Sequence, residues 1–210
     1  FAQGQRERLV IASKYTLATV PGDPNNAGNH RKSMRRSVED SLRRLGTDYL
    51  DVLYLHAWDD TTGVDEVMRG FDDLVRSGKV LYAGISDTPA WQIARMQTLA
   101  DLRGWAPLVA LQIEYSLIQR SVEHELLPMA EALGLGVVAW SPLGSGVLTG
   151  KYSATDLAQD EVLAAAPGGS RRNVALINGA LTPRSLQIAD EVTQIAQELS
   201  PSPAPADRAW

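Results

Sequence analysis

The 210-residue sequence contains no cysteine. Disulfides, thiolate metal sites and cysteine nucleophiles are therefore excluded, although the compartment stays open. No run of 18 apolar residues occurs, so no segment reads as a membrane-spanning helix. No run of five or more basic residues occurs either, and the net charge of −5 argues against a nucleic-acid partner. That charge is still compatible with a local positive pocket for a phosphate. Histidine is scarce: His30, His56 and His124 stand far apart without H-x-x-x-H spacing, and no metal site is expected. G-x-S-x-G is missing, which disfavours a Ser-His-Asp hydrolase, because Gly144-Ser145-Gly146 is not that elbow. The polar residues Phe1 to Arg8 hold no apolar core of a signal peptide, and there is no initiating methionine.

What is present is ordinary for a globular chain: 44% hydrophobic and 21% charged residues, enough for one large domain or two small ones. Short apolar runs alternate with longer amphipathic ones. Leu9 to Ser13, Tyr49 to Leu55, Val80 to Ile85, Leu108 to Ile113 and Gly136 to Trp140 read as strands. Their near-continuous aliphatic composition predicts a parallel sheet covered on both faces. Arg31 to Leu45, Val64 to Val75, Trp91 to Leu102, Val122 to Leu133 and Thr182 to Leu199 carry helical periodicity. Gly46 and Gly78 fall where helices should stop. Strands alternating with helices leave an open doubly wound sheet or a closed eight-stranded barrel. The first strand ends in Lys14-Tyr15-Thr16 rather than G-x-G-x-x-G, which favours the (β/α)8 TIM barrel. On this reading about five of eight β/α units are present, with one further helix at the carboxyl end. Residues 1–199 are expected to form one partial barrel domain and residues 200–210 a proline-rich tail.

Both candidate architectures place ligands at the carboxyl ends of the strands. Lys14 and His56 end the first two strands, in phase with Ala12 and with Val52 and Tyr54, so parallel neighbours would bring both to one mouth. A lysine there shifts its own or a neighbour's pKa, and a histidine can polarise a carbonyl oxygen. Ser86 and Gln112 are short polar groups able to bond a planar amide, and Asp87 suits either amide recognition or capping of the next helix. Trp140 offers a flat apolar face to a heteroaromatic ring, and the glycines after it let backbone N–H groups approach an anion. The G-x-x-x-x-G-K-[ST] pattern fails here, because Ser145 and Tyr152 occupy its required positions.

Taken in order, Leu9 to Lys14, Asp48 to Asp59, Gly78 to Ser86, Gln112 to Ser116, Ala139 to Leu143 and Gly146 to Tyr152 resemble the aldo-keto reductase family. The likeness is to its potassium-channel-β-subunit-like bacterial branch, over about residues 7–199. The resemblance implies a cytoplasmic barrel that reduces small aldehydes or ketones with NADPH. Lys14 and His56 match catalytic positions of the family. Ser86, Asp87 and Gln112 match its carboxamide-binding groups, and Trp140 the aromatic stacked on the nicotinamide. Ser141, Leu143, Gly146, Leu148 and Lys151 match the loop around the pyrophosphate. Two departures accompany it. Asp87 stands where the family usually has asparagine, and an ionised aspartate lacks the amide's donor hydrogens. The family's catalytic aspartate and tyrosine precede the lysine strand, outside this sequence, as does its last strand and helix at the other end, so weak activity is expected. An alternative class is a non-catalytic interaction module, in which open barrel edges favour self-association into a homo-oligomer.

Overall fold

The computed structural model describes residues 4–157 and 171–199, so the proline-rich tail of residues 200–210 lies outside the described residues. Five strands, β1 (Ala12–Tyr15), β2 (Leu50–Leu55), β3 (Val80–Ser86), β4 (Leu108–Glu114) and β5 (Gly136–Trp140), form one sheet in chain order. The first four pair in parallel. Helices α1 (Arg31–Leu45), α2 (Val64–Arg76), α3 (Ala90–Arg103) and α4 (Leu126–Ala132) supply the crossovers. The result is an α/β fold, a run of consecutive β/α units such as an incomplete (β/α)8 barrel contains.

Local chemistry sets these elements. His30 precedes α1, and its Nδ1 accepts from Ser33 N at 3.2 Å, satisfying one of the helix's orphan donors. Gly46 ends α1 with φ 63°, a left-handed turn that favours glycine. Asp65 and Glu66 in the first turn of α2 complement its dipole. Met34, Val38, Val67, Met68, Phe71, Ile93 and Met96 then bury one side of these helices against Leu53, Leu55, Ile85 and Leu111 of the sheet. Tyr15 meets Phe71 edge-on there, with ring centroids 6.1 Å apart.

Three sequence expectations differ from what is observed. β1 starts at Ala12 rather than Leu9, because pairing begins at Ala12↔Val52. Ile11 N is already taken by the Asp51 carboxylate at 2.8 Å, and Val10 is left 80% exposed. The helix expected over residues 122–133 divides into a 3-10 turn, Ser121–Glu123, and α4. Pro128 is the cause: its ring would clash with the His124 carbonyl in a continuous helix, and it has no N–H to donate. Coverage of both sheet faces fails at β5, where Val137 and Val138 are exposed.

The described chain divides into two compact units. The first holds β1 to β4, α1 to α4 and the start of β5. The second holds residues 114–122 and those from Ala139 onward. It contains a kinked turn segment (Gly144–Thr149) with Ser145 and Gly146 at positive φ, α5 (Ala154–Leu157), α6 (Arg171–Ile177) and α7 (Pro183–Leu199). Val147, Ala175, Ala180 and Leu181 form its core, with Ile118, Tyr152 and Leu186 packed against them. Thr182 and Ser185 cap α7 reciprocally, Ser185 N donating to Thr182 Oγ1 at 3.1 Å and Thr182 N to Ser185 Oγ at 2.8 Å. Pro183 supplies the first helical residue, where a missing N–H costs nothing.

Candidate active site

In the first unit, register alone decides which strand-end side chains share a face. Lys14 is level with Tyr54, and Tyr54 with Gly84. His56 lies two residues beyond Tyr54, Ser86 two beyond Gly84, and Ser86 is level with Gln112. Side chains two apart in a strand point the same way. Lys14, Tyr54, His56, Ser86 and Gln112 therefore project from one face at one end of the sheet. The residues between them face the helices: Ser13 Oγ bonds Ser41 Oγ of α1 at 2.8 Å, and Leu55 and Ile85 are fully buried.

The electrostatics fit that arrangement. Burial lowers the pKa of Lys14, and the negative charge of Asp87 opposes the shift. Burial also lowers that of His56; the Lys14 charge adds to the effect and Asp87 again opposes it. Lys14, His56 and Asp87 thus lie within electrostatic reach of one another, and His56 is biased toward the neutral imidazole. Ser86 is almost wholly buried, and its Oγ has no hydrogen-bond partner among the described residues. A buried hydroxyl in that state is suited to a polar ligand.

Asp87 adopts φ 36°, a left-handed conformation that aspartate tolerates better than most residues. Of the two roles left open for it, capping is not what is seen. The residue before α3 is Pro89, with no side-chain cap bond, and Asp87 instead accepts from Trp58 N through its carbonyl at 3.2 Å. Tyr15, the tyrosine nearest Lys14 in sequence, faces the helices and is fully buried. Its hydroxyl donates to Asn29 O at 3.4 Å, and burial, with the charges of Asp59 and Glu66, raises its pKa well above the ordinary value.

The remaining expected residues belong to the second unit. Trp140 ends β5, and its carbonyl accepts from Tyr115 N at 3.4 Å. Ser141 adopts φ 53° and its Oγ accepts from Ser145 N at 3.0 Å. Gly146 N and Leu148 N both donate to Leu143 O, at 2.9 and 3.2 Å, and the Leu148 side chain is fully buried. The amides of this loop are turned inward, contrary to the expectation that its glycines leave N–H groups free. The loop presents the Ser141 hydroxyl and the ammonium of Lys151. Lys151 Nζ lies 2.8 Å from where a Cβ on Gly146 would stand, and 5.0 Å from the Tyr152 ring centroid.

Sequence reading missed several groups around the first unit's strand ends. Tyr54 lies flat against Gly84, whose Cβ would meet Tyr54 Cε1 at 2.5 Å. A glycine inside a strand was the available signal for such a close approach. Trp58 carries a buried Nε1 with no partner among the described residues, and Asn29 and Asp59 tie the neighbouring loops together. A groove of about 890 Å³ along α1 and α2, lined by Arg31, Met34, Arg35 and Leu74, holds none of the strand-end groups. Among the described residues no cluster of His, Asp and Glu is placed to hold a metal ion, and no helix is long and apolar enough to cross a membrane.

The model of the aldo/keto reductase family matches residues 2–210. Norsolorinic acid reductase of Aspergillus flavus is 44% identical over 67% of this chain and 38% of its own length. The NADP(+) aryl-alcohol dehydrogenase of Phanerodontia chrysosporium is 37% identical over 80% of this chain and 44% of its own. An uncharacterized oxidoreductase of Bacillus subtilis is 43% identical over 72% of this chain and 48% of its own. The chain thus spans less than half the length of these relatives. Their names do not support the narrower likeness to the potassium-channel-β-subunit-like branch.

Proposed function

Since the chain belongs to the aldo/keto reductase family, we propose that it serves NADPH-dependent reduction of small aldehydes or ketones. The observation that carries this reading is the shared face of Lys14, His56, Ser86 and Gln112, with Lys14 and His56 electrostatically coupled. When bound, NADPH supplies a hydride to the carbonyl carbon. Negative charge then develops on the carbonyl oxygen, and the chain's own groups answer it. Neutral His56 donates a hydrogen bond to that oxygen and orients it. The positive charge of Lys14 would stabilise the developing alkoxide and ease proton transfer to it from a neighbouring hydroxyl group. Tyr15 is not that group, because its hydroxyl is committed to Asn29 on the helix side of the sheet.

The residues present fit a nicotinamide. The unpartnered Ser86 Oγ and the Gln112 amide would hold the carboxamide, with the Asp87 carboxylate available as an acceptor. Within the second unit, Trp140 would offer a flat apolar surface to a heteroaromatic ring. Ser141 and Lys151 would hold the pyrophosphate, while Leu143, Gly146 and Leu148 shape the loop that carries them. Family membership supports a cytoplasmic setting.

Titrating the chain with NADPH and reading its tryptophan fluorescence tests the cofactor site, and NADPH oxidation with a generic aldehyde tests turnover. Quenching that disappears in Trp140→Phe supports the reading; no quenching and no oxidation removes it. A second reading, an interaction module that pairs with its own copies, draws on the exposed Val137 and Val138 of β5. A monodisperse monomer by light scattering at tens of micromolar counts against it.

A further inference from the structure

Lys14 is the next-to-last residue of β1, and His56 directly follows the last residue of β2, so both stand where strand gives way to loop. Loops alone hold side chains loosely, so their relative placement depends on what joins the two loops. Asn29, in the segment between β1 and α1, is fully buried. A buried asparagine needs partners for its carbonyl and both amide hydrogens, and here all of them come from the residues just past Lys14 and His56. Asn29 Nδ2 donates to Thr16 Oγ1 at 3.0 Å and to Ala57 O at 2.9 Å. Its Oδ1 accepts from Asp59 N at 2.9 Å, and its own N–H donates to Asp59 Oδ2 at 2.7 Å.

Asp59 is itself fixed, accepting from Thr61 N, Thr62 N and Thr62 Oγ1 at 3.0, 2.9 and 2.9 Å. Gly28 N donates to Thr16 O at 2.7 Å. A Cβ on Gly28 would come 3.0 Å from Asp59 Oδ2, and its φ of 82° favours glycine, so any side chain here would crowd that carboxylate. Thr16, two residues after Lys14, adopts φ 115°, a sparsely populated conformation that persists where surrounding contacts over-determine it.

We propose that Asn29 and Asp59 form a clamp that sets the spacing and orientation of Lys14 and His56, making both positioning residues. The proposal rests on the reading of Lys14 and His56 as reactive-site groups. The bonds run from one strand-end loop to the other, so their loss displaces the mouth. Core packing of the helices on the sheet is made by other residues.

The imidazole of His56 reports the clamp independently of turnover. Among the described residues the charges acting on it are those of Lys14, from β1, and Asp87, from the turn after β3. Asn29 is neutral, and Asp59 exerts no resolved effect on it. A change in His56 titration on replacing either residue therefore reports movement rather than lost charge. NMR titration of the three histidines in the 210-residue chain makes the measurement. In Asn29→Ala, His56 gains water and separates from Lys14, so its pKa rises toward the ordinary imidazole value. Asp59→Asn, close in shape, shifts it the same way and covers the case in which Asn29→Ala does not fold. Ser41→Ala, which removes the Ser13–Ser41 bond on the helix side, leaves it in place. An unmoved His56 in the folded clamp variants overturns the proposal, as does an equal shift in Ser41→Ala. Where the parent turns over, kcat in the clamp variants falls by about 10²-fold with KM nearly unchanged. A parent without turnover defeats the reductase reading, and the titration still decides the clamp.

Discussion

Replacing Gly84 with alanine should destabilise the first unit through a single contact. The added Cβ would lie 2.5 Å from Tyr54 Cε1, 2.6 Å from Cδ1 and 3.1 Å from Cζ. These are flat ring atoms of a side chain only 5% exposed, so the ring cannot swing into solvent. Overpacking of this kind costs about 1–3 kcal/mol. Alanine recovers about 0.5–1 kcal/mol by restricting the unfolded backbone relative to glycine. The net expected loss centres on about 1 kcal/mol, read from the urea midpoint of tryptophan fluorescence at unchanged m. The same substitution in a Tyr54→Ala background meets no ring and should be neutral or stabilising. The double-mutant cycle then returns a coupling of about 1 kcal/mol or more. A Gly84→Ala protein as stable as the parent, or a loss that persists without the Tyr54 ring, refutes the reasoning.

Three further outcomes follow from other parts of the molecule. Gly46→Ala places an L side chain at φ 63° at the end of α1 and should lower the urea-derived stability by about 1 kcal/mol. Burial opposes ionisation of Asp59, but hydrogen bonds from Asn29, Thr62 and Thr61 outweigh it and lower its pKa below 3.8. The stability it supplies is therefore full above that pH and lost as pH falls through the folded-state value. Asp59→Asn should be less stable than the parent at neutral pH, and the gap should narrow in acid denaturation curves taken below pH 3.8. In Asp87→Asn, the charge that opposes the downward shifts of Lys14 and His56 disappears, so NMR should show His56 titrating lower than in the parent; an upward shift contradicts this.

The strands and helices were legible because their apolar periodicity coincides with what they bury. Met34 and Val38, and Val67 and Phe71, recur at the helical period and pack on the sheet as expected. The strand-end positions of Lys14, His56, Ser86 and Gln112 followed from alternation along parallel neighbours. What escaped was long-range hydrogen bonding. Nothing local marks Asn29 as buried, since its partners Ala57 and Asp59 lie 28 and 30 residues away. The capping role considered for Asp87 failed because its backbone turned left-handed toward Trp58. The loop after Trp140 reads as a run of free amides in sequence, yet folds into kinked turns in which N–H groups of residues 144, 146 and 148 point to Ser141 and Leu143.

Because every strand of the sheet lies beside its neighbours in the chain, each β/α unit can dock on the previous one as soon as it exists. No distant segment has to be threaded between two strands already paired, which keeps the separation of contacting residues small and favours rapid, stepwise assembly. The same layout runs in reverse: loosening starts at a flank and proceeds inward. Amide exchange should therefore be slowest in β2 and β3 and fastest in the partly solvated β5.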